Sequence, residues 1–234
     1  MRRRFDSPLL GALLLLVLSV LAPVTQARAD DDHRGKFYGR TRAEWFNLYV
    51  RNYLAGGPDK IGKVKLLPFP VGEYVSGSGT PEDPAVTTGH LNITLKRNTP
   101  FVMTIMFFYG ELYQPGTPVP FNPDPLLPPG SWELSKFVLK IDGKVVADST
   151  CNKDRWFVPA QIYNPPIFYS QPSSYGSIAA VFGEGYLLLQ RPLKKGKHTM
   201  SLDGTLILPG NNFYPNIPTG LGSRFLNTWT ITVK

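Results

Sequence analysis

The spacing of apolar residues changes twice along the chain. Between residues 9 and 22 they run almost unbroken, interrupted by Gly11 and Ser19. From Trp45 to Leu54 they recur at helical spacing, and beyond Pro58 they alternate with polar residues in short segments. The first run is roughly 14 residues, short of the roughly 20 that a membrane-spanning helix needs. It follows basic Met1-Arg2-Arg3-Arg4 and precedes Ala27-Arg28-Ala29, small residues at the two positions that signal peptidase reads. Residues 1–29 therefore read as a cleaved signal peptide. The mature chain is expected to be secreted or periplasmic, with no membrane span after cleavage. The polar segment that follows, residues 30–40, reads as a flexible tail, and 41–234 as a single domain.

The helical segment has both of its ends marked. Thr41-Arg42-Ala43-Glu44 has the spacing of a capping box, and Ala55-Gly56-Gly57-Pro58 supplies the stop. Trp45, Phe46, Leu48, Tyr49, Tyr53 and Leu54 form an aromatic stripe suited to packing on a core. After Pro58 the pattern predicts strands at 91–95, 101–109, 137–141, 145–147, 186–189, 198–202, 205–208 and 229–233. Asp142-Gly143 is suited to a two-residue hairpin turn. Roughly nine strands, one helix and short hairpins predict a mainly β protein. The expected fold is an antiparallel β-sandwich or jelly roll with one N-terminal amphipathic α-helix, its last strand lying inside a sheet.

Composition narrows the function classes. Removing residues 1–29 takes away Arg2, Arg3, Arg4, Arg28 and Asp6, lowering the formal charge from +8 to +5. Lys194-Lys195-Gly196-Lys197 is the one tight basic group and falls in a predicted turn, so no nucleic-acid partner is expected. Cys151 is the only cysteine, so no intrachain disulfide can form; it is expected to be buried and inert. His33 lies in the tail, His90 is isolated and His198 heads a strand. No metal or other cofactor is expected.

Three long loops carry the candidate binding residues. Residues 114–130 hold seven prolines with Phe121; 159–176 hold four prolines with Tyr163, Phe168, Tyr169 and Tyr175; 209–223 hold Phe213 and Tyr214. Long loops in compact domains are often functional. Aromatic rings on them can stack on sugar rings or grip a partner, so a glycan, a cell-envelope component or a protein is the expected ligand. No serine-nucleophile, phosphate-loop or calcium-loop motif is present. The catalytic alternative is a polysaccharide-acting hydrolase drawing two acids from Glu111, Asp124, Glu133, Asp154 and Glu184. A third alternative is a structural subunit of a surface assembly. The enzyme reading is the weaker of the first two, because any sandwich of this size carries as many acids.

Three segments carry a resemblance. Tyr38-Gly39-Arg40-Thr41-Arg42-Ala43-Glu44-Trp45 resembles the opening of a group of uncharacterised secreted bacterial proteins, in which Tyr-Gly-x-Thr-x-x-Glu-Trp introduces an aromatic helix. Gly185 to Leu193, continuing to Thr199, is similar to their C-terminal hairpin, and Val138 to Lys144 to their central one. The resemblance implies a helix plus β-sandwich in a bacterial cell envelope. It implies no activity.

Overall fold

The computed structural model describes residues 35–174, 176–210 and 220–234. The expected signal peptide, the first part of the expected tail, Tyr175, Phe213 and Tyr214 lie outside the described residues. No helix among the described residues is long and apolar enough to cross a membrane.

Helix α1 spans Arg42–Ala55. Its capping box is closed in both directions: Thr41 Oγ1 accepts the Glu44 amide at 3.2 Å, and Glu44 Oε2 accepts the Thr41 amide at 2.6 Å. Trp45, Phe46, Tyr49 and Val50 are buried, whereas Tyr53 at the far end of the stripe is 56% exposed. The helix is tied down by polar contacts at its margins. The Trp45 indole donates to the Phe37 carbonyl at 2.6 Å, and the Tyr49 hydroxyl to the Leu67 carbonyl at 2.7 Å.

The strands form two mixed sheets packed together. The first contains β1 (Lys60–Ile61), β2 (Val64–Leu66), β5 (Phe101–Tyr113), β9 (Ser177–Gln190) and β8 (Phe157–Phe168), in that order. The second runs β3 (Glu73–Ser76), β4 (Ala85–Leu95), β11 (Gly220–Val233), β10 (Gly196–Pro209), β6 (Lys136–Ile141) and β7 (Lys144–Asp148). Their inner faces share one core. Phe137 of β6 meets Tyr186 of β9 at 5.0 Å between ring centroids, and Gly110 on β5 leaves room for the Phe182 ring, which a methyl group there would strike. Helix α1 packs against β5, β8 and β9. With the second sheet on its other side, β9 is buried on both faces, which accounts for its nearly continuous apolar sequence.

Several expectations are corrected. The sheets are not wholly antiparallel, because β4 pairs with β11 and β2 with β5 in parallel. Alternation of apolar residues identifies a strand but not its direction, and only the hairpin-linked pairs had their direction set by a turn. Residues 159–168 are not loop but most of β8. Its three prolines are tolerated because β8 is an edge strand with register shifts on both sides of Gln161–Ile162, where ladder donors are not needed. A second, short helix, α2 (Ser149–Asn152), follows β7, and Cys151 within it is exposed rather than buried. The Asp142-Gly143 turn has positive φ at both residues, 51° and 75°, as its hairpin requires. Strand β11 lies inside its sheet, between β4 and β10.

Candidate functional site

The site is built where the chain crosses from one sheet to the other. Strand β2 pairs with β5 only at Phe101 and Val102, after which residues 67–72 pass to the second sheet. Tyr49 holds the Leu67 carbonyl, and the Trp229 indole donates to the Pro68 carbonyl at 3.0 Å. Phe69 is fixed edge-on against Phe225 at 6.1 Å and Trp229 at 5.8 Å. A cleft opens on each side of it. One, of about 360 Å³, is walled by Tyr53, Phe107, Tyr109, Phe225 and Pro70. The other, of about 380 Å³, lies between Tyr49 and Tyr53 of α1 and residues Leu91–Thr94 of β4. Tyr53 and Phe69 line both, so the two clefts adjoin as a groove divided by Phe69.

The aromatic wall is held rigidly. Phe107 meets Phe46 edge-on at 6.4 Å and Tyr53 at 5.3 Å, and lies tilted on Tyr109 at 5.9 Å. The polar feature is Asn227. Alternation along β11 directs Phe225, Asn227, Trp229, Ile231 and Val233 to the inner face, and Asn227 is the polar member of that row. It is 2% exposed, lines the groove, and its Oδ1 has no hydrogen-bond partner among the described residues. Space has been cleared for it. Gly89, paired with Asn227 in register, could carry no side chain, because a Cβ there would lie 2.9 Å from Asn227 Oδ1 and 2.7 Å from Pro70 Cβ.

A second polar constellation closes the C-terminal end of β5. Asp124 Oδ2 accepts the Glu111 amide at 2.9 Å, both Asp124 oxygens accept the Tyr113 hydroxyl at 3.1–3.2 Å, and the Asp124 amide donates to the Glu111 carbonyl at 2.8 Å. The Glu111 carboxylate accepts Ser177 Oγ at 2.7 Å and the Tyr169 hydroxyl at 3.1 Å. Burial pushes the Asp124 carboxyl up to about 6 against these donors, and the neighbouring Glu111 charge adds to the rise. This cluster pins the proline-rich loop to the sheet.

The expected binding residues are scattered. Tyr169 joins the carboxyl cluster and meets Tyr109 at 6.4 Å, which links it to the groove wall. Phe121 and Phe168 are exposed on loop and edge. Tyr163 is buried beside Phe46, over Gly183. Of the candidate acids, Glu111 and Asp124 do come together, but their carboxylates are occupied by hydrogen bonds. Glu133 and Asp154 are exposed. Glu184 is buried between the sheets, where burial pushes its carboxyl up to about 7 against the nearby Trp132 indole. None of the five lines the groove, and no group of three or more potential metal ligands occurs among the described residues. No protein-family model, no curated protein and no solved structure matches the chain.

Sequence reasoning passed over Phe69, Phe107, Phe225 and Asn227. One signal was available: in the alternating run Phe225 to Val233, an amide occupies an inward position. A polar residue inside an apolar row is either satisfied by structure or held for a ligand.

Proposed function

We propose that the chain is an exported, non-catalytic binding module, sandwich-like in build, that takes its ligand in the groove beside Phe69. The observation that carries this reading is Asn227, a buried amide that lines an aromatic cleft and whose oxygen has no partner among the described residues. Leaving such a group unmet costs about 1–3 kcal/mol, a cost that a bound donor would remove. Apolar clefts of this size with a few converging polar groups are the usual form of ligand sites. The ligand has apolar faces for Tyr53 and Phe107 and a donor for Asn227, a description that fits a glycan, an envelope component or a protein segment. The groove takes the place of the loop aromatics as the proposed contact surface.

The test uses the chain without residues 1–29, screened in parallel against an array of oligosaccharides and a displayed library of short peptides. Ligands retained by the wild type and lost by both Phe107→Ala and Asn227→Leu support the groove. Ligands lost instead on Phe121→Ala or Phe168→Ala, and kept by the groove variants, contradict it.

A further inference from the structure

Strand β3 pairs with β4 only over Val86–Thr88. From His90 to Thr94, β4 therefore has β11 on one side and, among the described residues, no strand on the other. Alternation shows which backbone groups are left over. The Lys234 amide donates to the Leu95 carbonyl at 3.0 Å, which places that carbonyl on the β11 side. A strand residue turns its N–H and C=O to the same side, and the side alternates along the strand. The backbone N–H and C=O of Leu91 and Ile93 thus face β11, while those of His90, Asn92 and Thr94 point outward, the last two along the wall of the 380 Å³ cleft.

Sheet edges are normally blunted by prolines, bulges or cover. Strand β8 follows that rule, with three prolines and two register shifts. The edge of β4 does not: all eleven of its residues pair with β11 in unbroken register and none is proline. A regular row of outward amides beside an aromatic cleft is the form that strand addition uses, with main-chain bonds for affinity and pockets for alternate side chains. The charged residues of the groove lining, Asp59 and Lys65, form an ion pair with each other, so the surface offered is neutral.

We propose that the groove takes an extended, uncharged peptide segment of a partner protein, added as a strand to β4, with Phe69 and Tyr53 holding its apolar side chains. This rests on the groove being the ligand site. A saccharide could use the same aromatic walls but has no main chain with which to continue the ladder.

The probes are short uncharged peptides selected from a displayed library on the chain without residues 1–29, and linear neutral oligosaccharides run beside them. Asn92→Pro removes one outward N–H and leaves the β11 side of the ladder intact. Selected peptides are expected to bind the wild type and Asn92→Ala alike and to lose about tenfold or more in affinity, about 1.4 kcal/mol, on Asn92→Pro. N-methylation of the peptide at each amide in turn gives an independent reading that does not depend on how the proline variant folds. Loss at every second position supports strand addition, and equal tolerance at all positions overturns it. Oligosaccharides that bind the groove while no peptide is selected overturn the peptide inference and leave the binding-module reading standing. If neither class binds the groove, both are overturned.

Discussion

The cluster at the C-terminal end of β5 and the floor of the groove beside Phe69 are both buried and polar, and the fold finishes only one of them. At the first, the carboxylates of Glu111 on β5 and Asp124 on the proline-rich loop receive amide and hydroxyl donors from β5, the β8–β9 connection and the start of β9. At the second, the side-chain oxygen of Asn227, a residue 2% exposed, has no partner among the described residues, and the glycine paired with it leaves it room. Buried polar groups are nearly always satisfied, so the two have different meanings. A completed constellation is a fastening, whereas an incomplete one that opens into a cleft is a place for something else.

The largest predicted effect breaks the fastening. Asp124→Ala strands the buried Glu111 amide and Tyr113 hydroxyl together and is expected to cost about 3 kcal/mol in urea unfolding. Whatever protein remains folded should bind groove ligands as before. A loss below about 1 kcal/mol would mean that the cluster does not hold the loop.

A smaller effect comes from pH. In the native state Asp124 and Glu184 hold their protons up to about 6 and about 7, against ordinary values of 3.8 and 4.5. Between about 4 and about 7 the native chain therefore binds more protons than the unfolded one, and these two groups make stability fall as pH rises. Glu184→Gln should raise the melting temperature by a few degrees near pH 8 and not near pH 4, since only the ionised carboxylate is costly. Equal gains at both values would point to packing instead. In the Asp142–His198 pair the two groups act in opposite directions. Partial burial would raise Asp142, but hydrogen bonds from His198 and the Thr199 amide hold it below its usual range, and the bond from Asp142 raises His198. Its contribution is full between the two ordinary values, 3.8 and 6.5, and is lost outside them as each group passes its own shifted value.

The smallest effects on stability sharpen the comparison most. Asn227→Leu replaces an amide whose oxygen is unmet and should change stability by no more than about 1 kcal/mol. Tyr53→Ala, at an exposed ring, should change it by no more than about 0.5 kcal/mol. Both are expected to weaken groove binding by about tenfold or more in titration calorimetry. A large loss of stability in Asn227→Leu would make the amide a structural residue after all.

What could be read in the sequence was what local chemistry fixes. The Thr41–Glu44 box and the Asp142-Gly143 turn are short-range devices, and both form as their spacing dictates. The parallel direction of β4 against β11 depends on strands joined through most of the chain. The proline-bearing β8 depends on being at an edge, which only the finished sheet defines. Cys151 is exposed because it sits on a short helix outside the sheets, in a segment too short to show a period. The groove was hidden for the same reason as β8. Phe69 comes from a crossing, Phe107 from β5, Tyr53 from the end of the helix and Asn227 from the last strand, and only tertiary packing brings them together. Among the described residues of the expected aromatic set, Tyr169 touches the groove wall through Tyr109.

The most direct test of the groove as an incomplete site is a side-chain NMR titration of the isotope-labelled chain with a ligand selected on it. The account predicts that the Asn227 amide and the Phe69 and Phe107 rings shift together on binding, while Tyr113 at the carboxyl cluster stays in place. Shifts confined to Phe121 and Phe168, with the Asn227 amide unmoved at saturation, would contradict it.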